Sequence, residues 1–332
     1  MPLPLRWSLM LLPFVLWGTA MVAMKPLLAG AAPITLAWLR ILPAGFVVLL
    51  AARGLGRSLA VAAHDLPWLL LFAAVDGSLF QVLLARGLGQ TGAGLGSVLI
   101  DSQPLLVALL ARLLFGEAIN PVGWLGLLLG LLGIVLLGVP QDLLRHWWLE
   151  APAAVAGPLL AHGEAWMLGA AAAMAVGTVL CRYACRGSDA VAVTGWHMVL
   201  GGLPLLLGAI LGGAGWPSWG LPEWGLMAYA SLLGSALAYG LFFWFASRGD
   251  LTGFTALTFL TPVFALVFGG LLLGERLGPL QWGGSLLALL SVLLINRRTQ
   301  VWESHPAEGS PGSPEGVACR VRNAAGCLLS PC

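Results

Sequence analysis

Two carboxylates fall inside long apolar runs: Asp76 near the middle of residues 66–87 and Asp101 near the middle of residues 92–115. An ionised carboxylate at that depth in a bilayer costs about 2.5–3.5 kcal/mol on insertion scales, so each must face a cavity or a polar partner. The chemistry open to them is a proton relay or a contact to a cationic group of a solute; the alternative is a helix-to-helix hydrogen bond that positions spans. Arg40, early in the run 34–52, offers the opposite chemistry, a planar fork for a carboxylate or phosphate. Lys25, late in the first run, either does the same as a point charge or snorkels to the interface. Gln103 precedes Pro104 and Thr261 precedes Pro262. A polar residue followed by proline in a membrane helix frees a carbonyl where a solute can be coordinated, or simply kinks the helix. Gln81 and Tyr239 join this candidate set, and His197 is a lone switch or ligand, or a satisfied structural group. Trp17, Trp38, Trp196 and Trp244 line a cavity or pack at an interface.

Other chemistries lack residues. No GK[ST] phosphate loop, HExxH helix or GxSxG elbow occurs, so nucleotide-driven pumping and hydrolysis within this chain find no support. The five cysteines have no metal or disulfide spacing; Cys181 and Cys185 sit one helical turn apart. No metal and no cofactor are expected. Dispersed basic residues and a net charge of +2 give no nucleic-acid surface.

The elements that must position these residues are membrane spans. Charged residues make up 9% of the chain and apolar residues 59%, with a mean hydropathy of +0.92. Soluble domains carry about a quarter charged residues. Ten apolar runs are expected at 8–29, 34–52, 66–87, 92–115, 121–139, 164–183, 190–211, 223–247, 251–273 and 279–296. In the fourth run Gly94, Ser97, Asp101, Pro104 and Ala108 form one small and polar stripe at helical spacing. The frame recurs at a constant offset of 158: Pro104 with Pro262, Glu117 with Glu275, Pro121 with Pro279, Trp124 with Trp282. Glu117 and Glu275 are read as tying loop backbone or helix starts. The fold class is therefore an all-α integral membrane protein of ten transmembrane helices in two five-helix repeats, 8–139 and 164–297. An interfacial linker, 140–163, joins them, and 298–332, rich in Ser, Pro and Gly, is expected to be a disordered tail. With both termini cytoplasmic, nine Lys and Arg of the short connections lie inside and four outside. Five spans per copy then invert the second repeat relative to the first.

Trp17-Gly18 with Lys25, Leu39-Arg40, and the twice-occurring order of Pro, Gly-Glu, Pro and Trp resemble the drug/metabolite transporter superfamily, in its EamA-type ten-span form. AGLGSVLIDSQPL and TGWHMVLGGLP are most similar to its cyanobacterial and plastid branch. The resemblance covers about residues 8–297. It implies two inverted repeats around a midplane cavity and alternating-access movement of small metabolites, often export of amino acids or related compounds. The second repeat has Tyr183 and Met198 where Lys25 and Arg40 stand in the first, and Gly234 and Phe259 opposite Asp76 and Asp101, so the site is one-sided. The expected function is secondary transport of a small organic solute across a bacterial inner membrane, with protons a possible coupling ion and a homodimer one possible assembly. The site is expected among the third, fourth, eighth and ninth spans, with Asp76 and Asp101 as leading polar contacts. A non-transporting scaffold or receptor, or a membrane enzyme using the two aspartates on a lipid-like substrate, is the alternative; an enzyme would change its substrate chemically.

Overall fold

The computed structural model describes residues 3–90, 99–117, 119–138, 163–248, 251–264, 267–268 and 279–303. Glu275, Gly94, Ser97, residues 140–162 of the expected linker 140–163 and residues 304–332 lie outside the described residues. By its contacts the chain divides into two units, Met1–Arg298 and Thr299–Cys332. Every regular element among the described residues is helical. Helix α1 runs Leu3–Met24, α2 Pro33–Gly54, α3 Leu66–Gln90, α4 Gln103–Phe115 and α5 Pro121–Gly138. Then follow α6 Glu164–Ala184, α7 Ala190–Leu211, α8 Leu221–Ala246, α9 Leu251–Phe264 and α10 Pro279–Glu303. Six of these helices are long and apolar enough to cross a membrane, and four are shorter apolar helices. Large apolar side chains stand outward along them, among them Leu50, Leu113, Leu128, Leu207, Leu286 and Leu293. An apolar surface that extensive belongs in lipid, and the chain is a membrane protein.

Local chemistry marks the helix starts. Pro33 and Pro121 stand at the first positions of α2 and α5, where a missing N–H is no loss. Asp189 caps α7 by accepting from the Val191 and Ala192 amides. The fourth run is interrupted where its polar-proline step leads one to expect: residues 101 and 102 form a turn, and α4 starts only at Gln103. Proline at 104 donates no hydrogen bond and its ring crowds the carbonyl of Ile100, so the helix breaks one turn earlier. In α9 the residues before Pro262 tighten into a 3-10 segment, Ala256–Leu260. Two further irregularities are π segments, Ala73–Phe80 inside α3 and Leu232–Leu237 inside α8. Helix α10 continues to Glu303, past the expected end of its apolar run.

Glycine sets how closely the helices approach. On α2 and α7, a Cβ at Gly45 would lie 2.8 Å from the Met198 Cβ, and one at Gly202 would lie 2.8 Å from the Leu42 Cβ. Between α3 and α7 the approach is backbone on backbone, where a Cβ on Gly201 would collide with the Gly77 Cα. The Ser78 hydroxyl donates to the Gly201 carbonyl at 2.7 Å across the same contact. Lipid gives apolar helices no reason to associate beyond packing and such bonds, so small residues at crossings carry the assembly. Gly201→Ala is accordingly expected to destabilise the protein by about 1–3 kcal/mol, the usual range for overpacking. Gly240→Ala, where the new Cβ meets open space, is expected to be neutral or stabilising. Unfolding of both variants in detergent micelles against the wild type measures the difference.

Candidate functional site

Seven helices converge on a cavity of about 50 Å³. Helix α1 presents Trp17, Met21 and Met24; α2 presents Arg40; α3 presents Phe80 and Leu84. The broken stretch at α4 contributes Ile100, Asp101 and Gln103, α6 contributes Met174, α8 Gly234 and Tyr239, and α9 Thr258 and Thr261. Five residues singled out by type, Arg40, Asp101, Gln103, Tyr239 and Thr261, therefore share one wall. The wall draws on α1, α2 and α6 as well as the four spans expected to supply it. A cavity this size holds a few waters and is well below the roughly 300–1,000 Å³ usual for a small-molecule site.

Arg40 dominates the electrostatics. It is 6% exposed, and its Nη2 donates to the Tyr239 hydroxyl at 3.0 Å while Nη1 meets the Met24 thioether at 3.3 Å. Among the described residues no carboxylate forms an ion pair with it, and its Nε has no hydrogen-bond partner. Its backbone is held in place by the Ser231 hydroxyl, which donates to the Arg40 carbonyl at 2.9 Å. Trp17 Nε1 and Thr261 Oγ1, also on the wall, are buried without partners. Gln103 Nε2 donates to the Thr178 hydroxyl at 3.3 Å. Gln81 lies behind Arg40, beside a cleft of about 10 Å³ that it shares with Met24 and Arg40, and its Nε2 is unpartnered. The wall offers an anionic group a guanidinium and neutral donors, offers a cationic group the Asp101 carboxylate, and offers apolar atoms Trp17, Phe80 and the methionines.

Asp76 is not among the residues lining this cavity. It sits in the π segment of α3, fully buried, with its Oδ2 3.1 Å from His197 Nε2. His197 lies flat against Phe72, centroids 4.0 Å apart, and edge-on to Phe243 at 5.2 Å. Gly177 of α6 closes over the carboxylate; a Cβ there would lie 2.7 Å from Oδ1. Sequence reading treated Asp76 and His197 separately, because 121 residues and an unknown register part them.

Similarity to known proteins now bears on this geometry. The EamA-like transporter family model matches residues 7–139 and 161–297. The chain belongs to the EamA-like transporter family. An uncharacterised Synechocystis transporter is 50% identical over 293 residues, spanning 87% of this chain and 89% of that protein. A chloroplastic WAT1-related protein of Arabidopsis thaliana is 43% identical over 297 residues, spanning 88% of this chain and 69% of its own. A probable terminal-alkyne amino-acid exporter of Streptantibioticus cattleyicolor is 30% identical over 297 residues, spanning 88% and 93%. One crystal structure superposes with a TM-score of 0.71 at 19% identity, covering 89% of this chain and 97% of the other, which speaks to the fold alone.

In this EamA-like transporter, one end of the bundle is laced by polar groups. Glu117, just beyond the left-handed Gly116 that ends α4, accepts from the Leu251 and Thr252 amides at 3.2 Å each and from the Thr252 hydroxyl at 2.7 Å. It thereby caps the start of α9, and Arg182 of α6 donates to it at 3.1 Å. Arg57 pairs with Asp189 at 2.7 Å, and the buried Asp65 accepts from the Gly187 amide and Ser188 hydroxyl. Asp65 and Ser188 went unremarked in the sequence, where nothing separates them from ordinary loop residues, and Arg57 entered only as one of the nine basic residues on the inner side; Asp189 carried the one available signal, an acidic residue directly before an apolar run. At the other end Lys25 Nζ donates to the Leu88 carbonyl at 2.7 Å, and Trp219 Nε1 to the Leu27 carbonyl at 3.0 Å. Arg112 is exposed on α4, and Cys181 and Cys185 are free thiols with sulfurs 3.8 Å apart. Glu117→Ala removes a helix cap and is expected to lower stability by about 0.5–2 kcal/mol. Thr252→Ala, which leaves both amide bonds in place, is expected to lose less; thermal unfolding in detergent ranks the two.

Proposed function

We propose that the chain is a secondary transporter, working as an exporter or exchanger, of an amino acid or closely related zwitterion with an apolar side chain. The observation that carries this reading is Arg40: a guanidinium buried in the cavity wall with a phenol and a thioether for partners and no carboxylate ion pair among the described residues. A buried charge held that way is expensive unless an anion completes it, and the carboxylate of a solute fits its fork. Asp101 on the same wall complements an ammonium, and Trp17, Phe80 and Met21 suit an apolar side chain. The amino-acid exporter among the relatives is in keeping with this chemistry.

The mechanism is alternating access between two inverted five-helix repeats, ten helices in all. Supporting it, α6 lies on α3 as α1 lies on α8, and α7 meets the π segment of α3 as α2 meets that of α8. Asp76 and Gly234, 158 residues apart, each sit within such a segment. The compact cavity suits an occluded conformation, and the broken α4 and α9 are natural points of flexure. The excess of Lys and Arg on one side argues for both termini, and with them the Glu117 end, on the cytoplasmic side, and the bacterial relatives are in keeping with a bacterial inner membrane.

Counterflow of radiolabelled amino acids, sugars, organic phosphates and nucleosides in sealed proteoliposomes tests the reading, with recovery of chemically unchanged label. Arg40→Gln is expected to weaken apparent affinity by about 10- to 150-fold, the equivalent of one charge-assisted bond of roughly 1.5–3 kcal/mol. Arg40→Lys, which keeps the charge and loses the fork, is expected to fall between. Exchange by Arg40→Gln equal to wild type, in protein that elutes as a single species, overturns the assignment.

A further inference from the structure

We infer that the Asp76–His197 pair is a single-proton site, separate from the solute cavity and linked to it through Phe243, Tyr239 and Arg40. This deepens the transport reading and rests on it only for the coupling step. The first premise is geometric. His197 Nδ1 lies 2.6 Å from the Thr194 carbonyl oxygen, which can only accept, so Nδ1 carries a hydrogen. Nε2 faces Asp76 Oδ2 at 3.1 Å. Two arrangements satisfy that contact: an imidazolium donating to a carboxylate, or a carboxylic acid donating to a neutral ring. Both hold one proton between the two groups. Removing it would set a bare nitrogen lone pair against a carboxylate in a fully buried site, with nothing to replace the lost bond.

The second premise is what surrounds the pair. The charged and titratable groups facing Asp76 from the packed helices are Arg40 of α2, Cys181 of α6, Tyr239 of α8 and His197 itself. Asp76 Oδ1 is buried and accepts nothing, so one side of the carboxyl awaits a donor that this conformation does not supply. Gly177 of α6 covers that side. Movement of α6 away from α3 would admit water to Oδ1; the proton then passes to water, leaving Asp76 as a hydrated carboxylate and His197 as a neutral ring. Closure reverses the step. No other atom or electron changes hands.

The third premise is the link. Phe243, edge-on to His197, stacks on Tyr239 with centroids 5.6 Å apart, and the Tyr239 hydroxyl accepts from Arg40. Displacing the imidazole therefore shifts the phenol that holds the anion-binding guanidinium. Asp76 itself sits in a π segment, an irregularity of the kind that recurs at functional sites.

Two measurements on the full chain in lipid separate failure of this inference from failure of the transport reading. In nanodiscs with 15N-labelled histidine, five residues in all, His197→Gln assigns the signal. The wild-type ring is expected to keep Nδ1 protonated, with Nε2 sharing one hydrogen with the Asp76 carboxyl. A neutral ring with hydrogen on Nε2 alone overturns the single-proton site whatever the flux. In proteoliposomes with L-leucine as the zwitterionic probe, an imposed pH gradient is expected to drive accumulation in the wild type and to drive none in Asp76→Asn or His197→Gln. Wild-type exchange that ignores the gradient, or driven accumulation that survives in either variant, overturns the coupling. Absence of any leucine flux in the wild type counts against the solute assignment, and the nitrogen spectra still decide the pair.

Discussion

The contact between Gly77 and Gly201 sets the distance at which α3 and α7 run, and most of the interior geometry depends on it. At that separation His197, four residues before Gly201, comes opposite Asp76, one residue before Gly77. One methyl group at either glycine would push the helices apart and leave a carboxylate buried without its partner. Packing and polar chemistry are therefore one problem here. Hydrocarbon offers no alternative donor to a misplaced carboxylate, so the glycine contact fixes a hydrogen bond as much as a crossing.

The same logic explains where the backbone is allowed to be irregular. A helix broken in lipid exposes groups that lipid cannot satisfy, so breaks are tolerated where protein or water lies beside them. The turn at residues 101 and 102 and the 3-10 segment Ala256–Leu260 both border the cavity, through Asp101 and Thr258. The π segments of α3 and α8 are likewise buried, at Asp76 and Ser235. Each irregular stretch keeps a polar side chain turned inward, even where its leucines face outward.

The membrane class and the residues of the cavity wall were legible in the sequence for a simple reason. Arg40, Asp101, Gln103, Tyr239 and Thr261 interrupt runs that are otherwise apolar, and a polar side chain in such a run has few places to point. Proline at 104 and 262 announced irregular backbone because its missing N–H acts locally. Pairings could not be read the same way. Asp76 with His197, Glu117 with Thr252, and Asp65 with Ser188 each depend on the register between helices far apart in the chain, and register is decided by many packing contacts at once. The π segments had no local mark either, since their residues are as compatible with an ordinary helix. Met24, apolar enough to pass as packing, and Trp17, offered by the sequence as cavity lining or packing, stand against Arg40 and Tyr239 on the cavity wall.

The shortness of α4 has an electrical consequence. Its 13 residues from Gln103 to Phe115 rise about 20 Å, two-thirds of a hydrocarbon layer of about 30 Å. On the proposed orientation, with Gly116 at the cytoplasmic face, the turn that carries Asp101 lies about two-thirds of the way across. A net charge brought to that depth crosses a matching fraction of the membrane voltage, worth roughly 1.5 kcal/mol per 100 mV from that face. A zwitterion with both charges at one depth crosses the same field at no electrical cost, whereas an anion or cation of similar size is pulled or opposed by it. On that placement, depth alone gives the proposed site a bias among solutes of different net charge, before any side chain touches them.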